Sequence, residues 1–137
     1  MRRREFHQLL LCAAGSGLLP ACGNSFDATI TPVNGQARLT FAQLPQLRST
    51  GGSAVVEVSG FFPIVVIRTG DTAAAALSAT CTHAGCILHA QGPNDVHCDC
   101  HNADFALDGR VLRGPPPVPL PTYAASVDSD GITVQIM

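Results

Sequence analysis

Two short stretches rich in cysteine and histidine stand close together in this chain: Cys81-Thr82-His83-Ala84-Gly85-Cys86 and, after eleven intervening residues, Cys98-Asp99-Cys100-His101. Each pairs one cysteine with one histidine at close spacing and adds one further cysteine. Thiolate and imidazole together admit zinc, copper or an iron–sulfur cluster. Structural zinc sites favour C-x₂₋₄-C and H-x₃₋₅-H pairs. Cys81-x-His83 matches that spacing poorly and would leave two cysteines without a role. A pair of plain disulfides, or a cluster held by four cysteines, accounts for the sulfur but not for a histidine beside a cysteine in both stretches. Four ligands of the Cys₂His₂ kind account for both.

Such loops need a scaffold, and the sequence around them reads as short strands between turns. Ala37 to Phe41, Ala54 to Val58 and Pro63 to Arg68 are β-branched or apolar runs bounded by Gly, Pro and Ser, with Thr69-Gly70-Asp71 turning after the third. Ala73 to Ala79 has helical propensity but is short and follows a hairpin-like turn, so a strand is expected. Asp95 to Cys98, Phe105 to Leu107 and Arg110 to Leu112 follow, the last two joined by Asp108-Gly109. Tyr123 to Val127 and Ile132 to Ile136 form a final hairpin around Asp128 to Gly131. The expected fold is all-β, with both cysteine stretches on connections between strands.

Composition agrees. The 137 residues, 46% of them hydrophobic, suffice for one domain, and 13 Gly and 10 Pro with one Tyr and no Trp favour many turns over long packed helices. The formal charge of −2 comes from arginine alone against 10 acids, and three of the 8 basic residues are Arg2, Arg3 and Arg4. Nothing resembles a nucleic-acid surface.

Residues 1–21 read as an export signal: Arg2 to Arg4 precede an apolar stretch, Leu9 to Leu19, that Gly15, Ser16 and Gly17 interrupt. That stretch is shorter than the roughly 20 apolar residues of a spanning helix. Arg3-Arg4-Glu5-Phe6 resembles the twin-arginine signal, a route for proteins already folded around a cofactor. Leu19-Pro20-Ala21-Cys22 resembles a bacterial lipobox, which implies a lipid on Cys22 and a place on the periplasmic face of a membrane. Residues 22–36 are expected to be a tether with one short strand near Thr29 to Val33, leaving 37–137 as the domain.

The two cysteine stretches resemble the boxes of the Rieske family, C-T-H-x-G-C and C-x-C-H, in residue type, order and separation, and the likeness runs roughly from Ala37 to Met137. The resemblance implies a small all-β domain with a [2Fe–2S] cluster at a tip built from two loops. Cys81 and Cys98 would hold the inner iron, and His83 and His101 the outer iron. Cys86 and Cys100 match the pair that forms a disulfide between the loops in cytochrome bc-type members, a bond the oxygenase-linked branch lacks. Gly114-Pro115-Pro116-Pro117 looks like the proline-rich loop that covers the cluster. His89 and His97 match no ligand position and are expected to be surface or strand histidines.

Two thiolates, two ferric ions and two sulfides sum to zero charge, so neutral imidazoles in place of two thiolates make reduction easier, with potentials of about −150 to +300 mV. This chain departs from quinol-oxidising members of the family at three places. It has Ala84 where they carry leucine, and Ala103 and Phe105 where they carry a serine and a tyrosine whose hydroxyls donate to the cluster sulfurs. Without those donors a middling potential is expected. The expected function is one-electron transfer to redox protein partners, a cytochrome or a molybdenum oxidoreductase subunit, as a carrier or a small respiratory subunit. A quinol-oxidising subunit of a bc-type complex is the alternative. A Rieske oxygenase would need a second domain with a mononuclear iron site.

Overall fold

Ile64-Val65-Val66-Ile67 is an unbroken apolar run, and all four side chains are fully buried. Successive strand residues point to opposite faces, so such a run requires cover on both sides. The strand they form, β4 (Ile64–Arg68, numbering strands in chain order), is the middle strand of the central sheet. Ile64 and Val66 enter one core, Val65 and Ile67 another. The computed structural model describes residues 26–82, 85–100, 102–114 and 118–137.

The central sheet has five strands: β1 (Ala28–Ile30), β3 (Ser53–Val58), β4, β5 (Ala74–Ser78) and β10 (Thr122–Tyr123), in the order β1-β3-β4-β5-β10. β1 runs parallel to β3, and the other neighbours are antiparallel. A second sheet, β11-β12-β2, joins β11 (Ala125–Val127), β12 (Gly131–Gln135) and β2 (Gln36–Thr40). Its Leu39, Ile132 and Val134 pack with Val56, Val58, Ile64 and Val66, and a 3₁₀ turn at Pro45–Arg48 adds Leu47 to this first core. The third sheet is an antiparallel meander of β6 (His89–Gln91), β7 (Asp95–Cys98), β8 (Ala103–Ala106) and β9 (Val111–Arg113). Val96, Cys98, Ala103 and Phe105 pack with Val65, Ile67 and Leu77 in the second core. Each fully buried aliphatic side chain contributes about 1.5–3 kcal/mol, so both cores draw on β4.

The expected small antiparallel sheets are present, and the expected strand at Ala73 to Ala79 is β5, Ala74–Ser78, despite its alanines. Boundaries and partners differ in places from the sequence reading, and β6 is a strand it does not contain. Tyr123 to Val127 is not one strand: Tyr123 ends β10 in the central sheet and Ala125 starts β11 in the second sheet. β8 starts at Ala103, two residues earlier than expected, because it pairs with Cys98 across the second cysteine stretch. The short strand expected near Thr29 to Val33 is β1, Ala28–Ile30; it lies in the central sheet, and Ile30, only 5% exposed, belongs to the first core.

Candidate metal centre

Both cysteine stretches are hairpin loops at the end of the second core. The first closes on itself: the Cys81 amide donates to the Cys86 carbonyl at 2.8 Å, and the Gly85 amide returns to the Cys81 carbonyl at 3.0 Å. An isolated bridge between Thr80 and Ile87 clamps its base. The second loop joins β7 to β8, with Cys98 opposite Ala103 as the last pair and Asn102 at φ +53° turning the chain. Asparagine tolerates that left-handed conformation better than most residues.

A disulfide joins Cys86 to Cys100 and so ties the two loops together. The sulfurs of Cys86, Cys98 and Cys100 lie within 4.8 Å of one another, but two of the three are used by that bond. Cys81 and Cys98 remain outside it, both buried and both within the same apolar core. Two buried cysteines in one apolar core, beside a covalent strap, suit a soft, low-charge metal group better than a hydrated cation. His83, His101, Ala84, Pro115, Pro116, Pro117 and Cys22 lie outside the described residues.

The proline-rich stretch is anchored at both of its described ends. Gly114, at φ +105°, presses its backbone on Ala103, where a Cβ would lie 2.7 Å from the Ala103 Cα. Only glycine fits that approach. At the other end the Thr82 hydroxyl donates to the Val118 carbonyl at 2.9 Å. Gly114 thus meets the second loop and Val118 the first. Ala103 and Phe105 are fully buried against the same core as Cys98 and bring no hydroxyl to it.

The structure also shows a feature that local spacing does not reveal. On the sheet face opposite Cys98, His97 is buried, and its Nδ1 lies 2.5 Å from Asp104 Oδ1. Asp104 is 7% exposed, and its second oxygen accepts from Arg113 at 2.9 Å. The hydrogen bond from His97 and the Arg113 guanidinium hold the Asp104 carboxyl below its ordinary range although burial opposes this. Asp104 is thus ionised at neutral pH, and Nδ1–H of His97 is the donor. Asp99, between the two cysteines of the second loop, lies 3.3 Å from His97 Nε2 and 3.1 Å from His89 Nε2. His89 is an exposed strand histidine, as expected; His97 is a buried one.

Comparison with known proteins places this geometry. The iron-sulfur subunit of the cytochrome b6-f complex from Chlorobaculum thiosulfatiphilum is 38% identical over 72 residues, 52% of this chain and 39% of that protein. The match thus spans less than half the length of that curated relative. Among solved structures, the plasma membrane Rieske protein PetC3 from Synechocystis PCC 6803 is 33% identical with a TM-score of 0.56, covering 66% of this chain and 92% of that one. The ferredoxin of carbazole 1,9a-dioxygenase from Nocardioides aromaticivorans IC177 is 26% identical with a TM-score of 0.59, over 78% of this chain and 99% of that one. The Rieske [2Fe-2S] domain model matches residues 39–124, a span that holds both loops, the disulfide and the proline-rich stretch, and the chain belongs to that family.

Proposed function

We propose that this protein transfers single electrons through a [2Fe–2S] cluster held by Cys81, His83, Cys98 and His101. The observation that carries this reading is the sorting of the four loop cysteines: two are joined as a strap, and the other two are buried members of one apolar core. The bound cluster supplies one-electron chemistry at a potential of about −150 to +300 mV. Cys81 and Cys98 bring two negative charges into a core from which water is excluded. The disulfide keeps the two loops together through a change of charge, so little reorganisation opposes electron exchange. Electron paramagnetic resonance of the reduced, metal-intact protein tests the reading. A [2Fe–2S] signal with g-values typical of mixed cysteine and histidine ligation is expected, and zinc in its place would refute it.

The partner is a redox protein, reached from the tip. We further infer export by residues 1–21 and a lipid on Cys22, on the strength of the Arg3-Arg4 and Leu19-Pro20-Ala21-Cys22 motifs. No helix among the described residues is long and apolar enough to cross a membrane. Intact-mass measurement of the membrane-extracted protein reads the acyl addition. A quinol-oxidising role in a bc-type complex is the second reading, favoured by relatives that are cytochrome b6-f subunits. Ala103 and Phe105 favour the carrier or small-subunit role, and a midpoint potential near the top of the Rieske range would reverse that preference.

A further inference from the structure

The four-stranded sheet that carries the second loop has an unusual outer face. One residue from each of its strands stands in line across it: His89 of β6, His97 of β7, Asp104 of β8 and Arg113 of β9, each the direct cross-strand partner of the next. Asp99 closes the line at the loop end by meeting both histidines. The contacts therefore form one continuous chain, His89 to Asp99 to His97 to Asp104 to Arg113, and the middle of it is buried.

Stability alone does not account for this. Burying a carboxylate costs several kcal/mol, and an apolar pair of similar size at His97 and Asp104 would pack as well without that cost. What an apolar pair cannot do is fix orientation. Hydrogen bonds are directional: Asp104 holds His97, His89 bonds to Asp99, and His97 Nε2 lies 3.3 Å from Asp99, the residue flanked by Cys98 and Cys100, so the rigid sheet is set against the loop. The set also reaches Arg113, which immediately precedes the Gly114 contact on Ala103. Pleating sends Cys98 to the opposite face from His97, so the chain braces the loop from behind without touching the metal side.

We propose that Asp104 is a positioning residue for electron transfer: by holding the His97 ring against Asp99 it positions the loop that carries Cys98 and His101, and its charge, set against that of Arg113, biases electron uptake. The inference rests on the reading of Cys98 and His101 as ligands. An ionised carboxylate behind the loop disfavours an added electron, whereas the guanidinium favours it. The two groups thus act with opposite sign on the potential but in the same sense on loop geometry.

The test uses the full-length holoprotein with Asp104→Asn and Arg113→Gln, and Asp108→Asn as a control at an exposed carboxylate outside the chain. Asp104→Asn is expected to alter the g-values of the reduced protein, to raise the midpoint potential and to release iron to a chelator roughly tenfold faster. Arg113→Gln is expected to alter the g-values and to lower the midpoint potential, and Asp108→Asn to change none of these. Variants that melt earlier but keep the parent's g-values and potential would reduce the chain to a structural brace and overturn the proposal. If Asp104→Asn does not fold, Arg113→Gln decides: a lowered potential supports the proposal and an unchanged one overturns it. Failure of the ligand reading is separately visible, because the parent protein would then give no [2Fe–2S] signal.

Discussion

At the scale of single residues, the loop cysteines divide by chemistry more than by position. Cys100 is exposed and its bond to Cys86 closes a loop with a sequence separation of 14. Cys100→Ser should therefore cost about 3 kcal/mol in the chain-entropy account of disulfides, read as a lower urea midpoint, and should shorten the lifetime of the visible absorbance. Cys98→Ser should instead abolish that absorbance while the far-ultraviolet circular dichroism of the sheets persists. The two cysteine stretches were legible in the sequence because cysteine and histidine are rare and their spacing within each stretch is local, whereas the Cys86–Cys100 strap was expected from the family resemblance and not from spacing. His97 and Asp104 were not legible. Their pairing depends on the register of β7 against β8, and nothing in the run Val96-His97-Cys98 marks the histidine as buried. A sheet whose outer face is normally polar gives no signal when that face encloses a carboxylate.

At the scale of elements, β4 offers a test of how the two cores divide the work. Ile64→Ala and Ile67→Ala remove the same side chain from opposite faces of one strand, and each should cost about 2–5 kcal/mol. Only Ile67→Ala opens the core that contains Cys81 and Cys98, so only it should hasten iron release into a chelator. Gly114→Ala is a second test. Its methyl would collide with Ala103 at a backbone conformation that side chains disfavour, so the proline-rich stretch should lift from the second loop and the melting temperature should fall. The strands themselves read well from the sequence where both faces are buried, as in Ile64 to Ile67, or where a turn fixes a length, as at Asp108-Gly109. They read poorly where the chain changes sheets, at Ala124, because apolar patterning records burial and not which partner supplies it. β6 (His89–Gln91) escaped for the opposite reason, having no buried side chain to betray it.

At the scale of the whole molecule, two carboxylates tie acid stability to the fold. Asp104 is held below its ordinary range by His97 and Arg113, and Asp128 by Arg38, which clamps the β11–β12 turn to β2 with contacts of 2.7 and 2.8 Å. A carboxylate with a folded value below its unfolded one, about 3.9, stabilises the fold above that pH and loses this contribution as the pH falls. Urea midpoints should therefore decline below about pH 4, and the decline should be shallower in Asp104→Asn. The short strand expected near Thr29 to Val33 is present as β1 (Ala28–Ile30), but its parallel pairing with β3 is not something a short polar stretch announces. The two cores also differ in how far apart along the chain their members stand. Every described residue of the second core lies between Val55 and Leu120, while the first needs Ile30 together with Ile136, and Gln36 bonds to Gln135 across 99 positions. Closing long loops is entropically costly and slows folding. The core around Cys81 and Cys98 therefore closes within a shorter span of chain, and the cluster-bearing half is expected to assemble before the β2–β12 pairing draws the distant ends together.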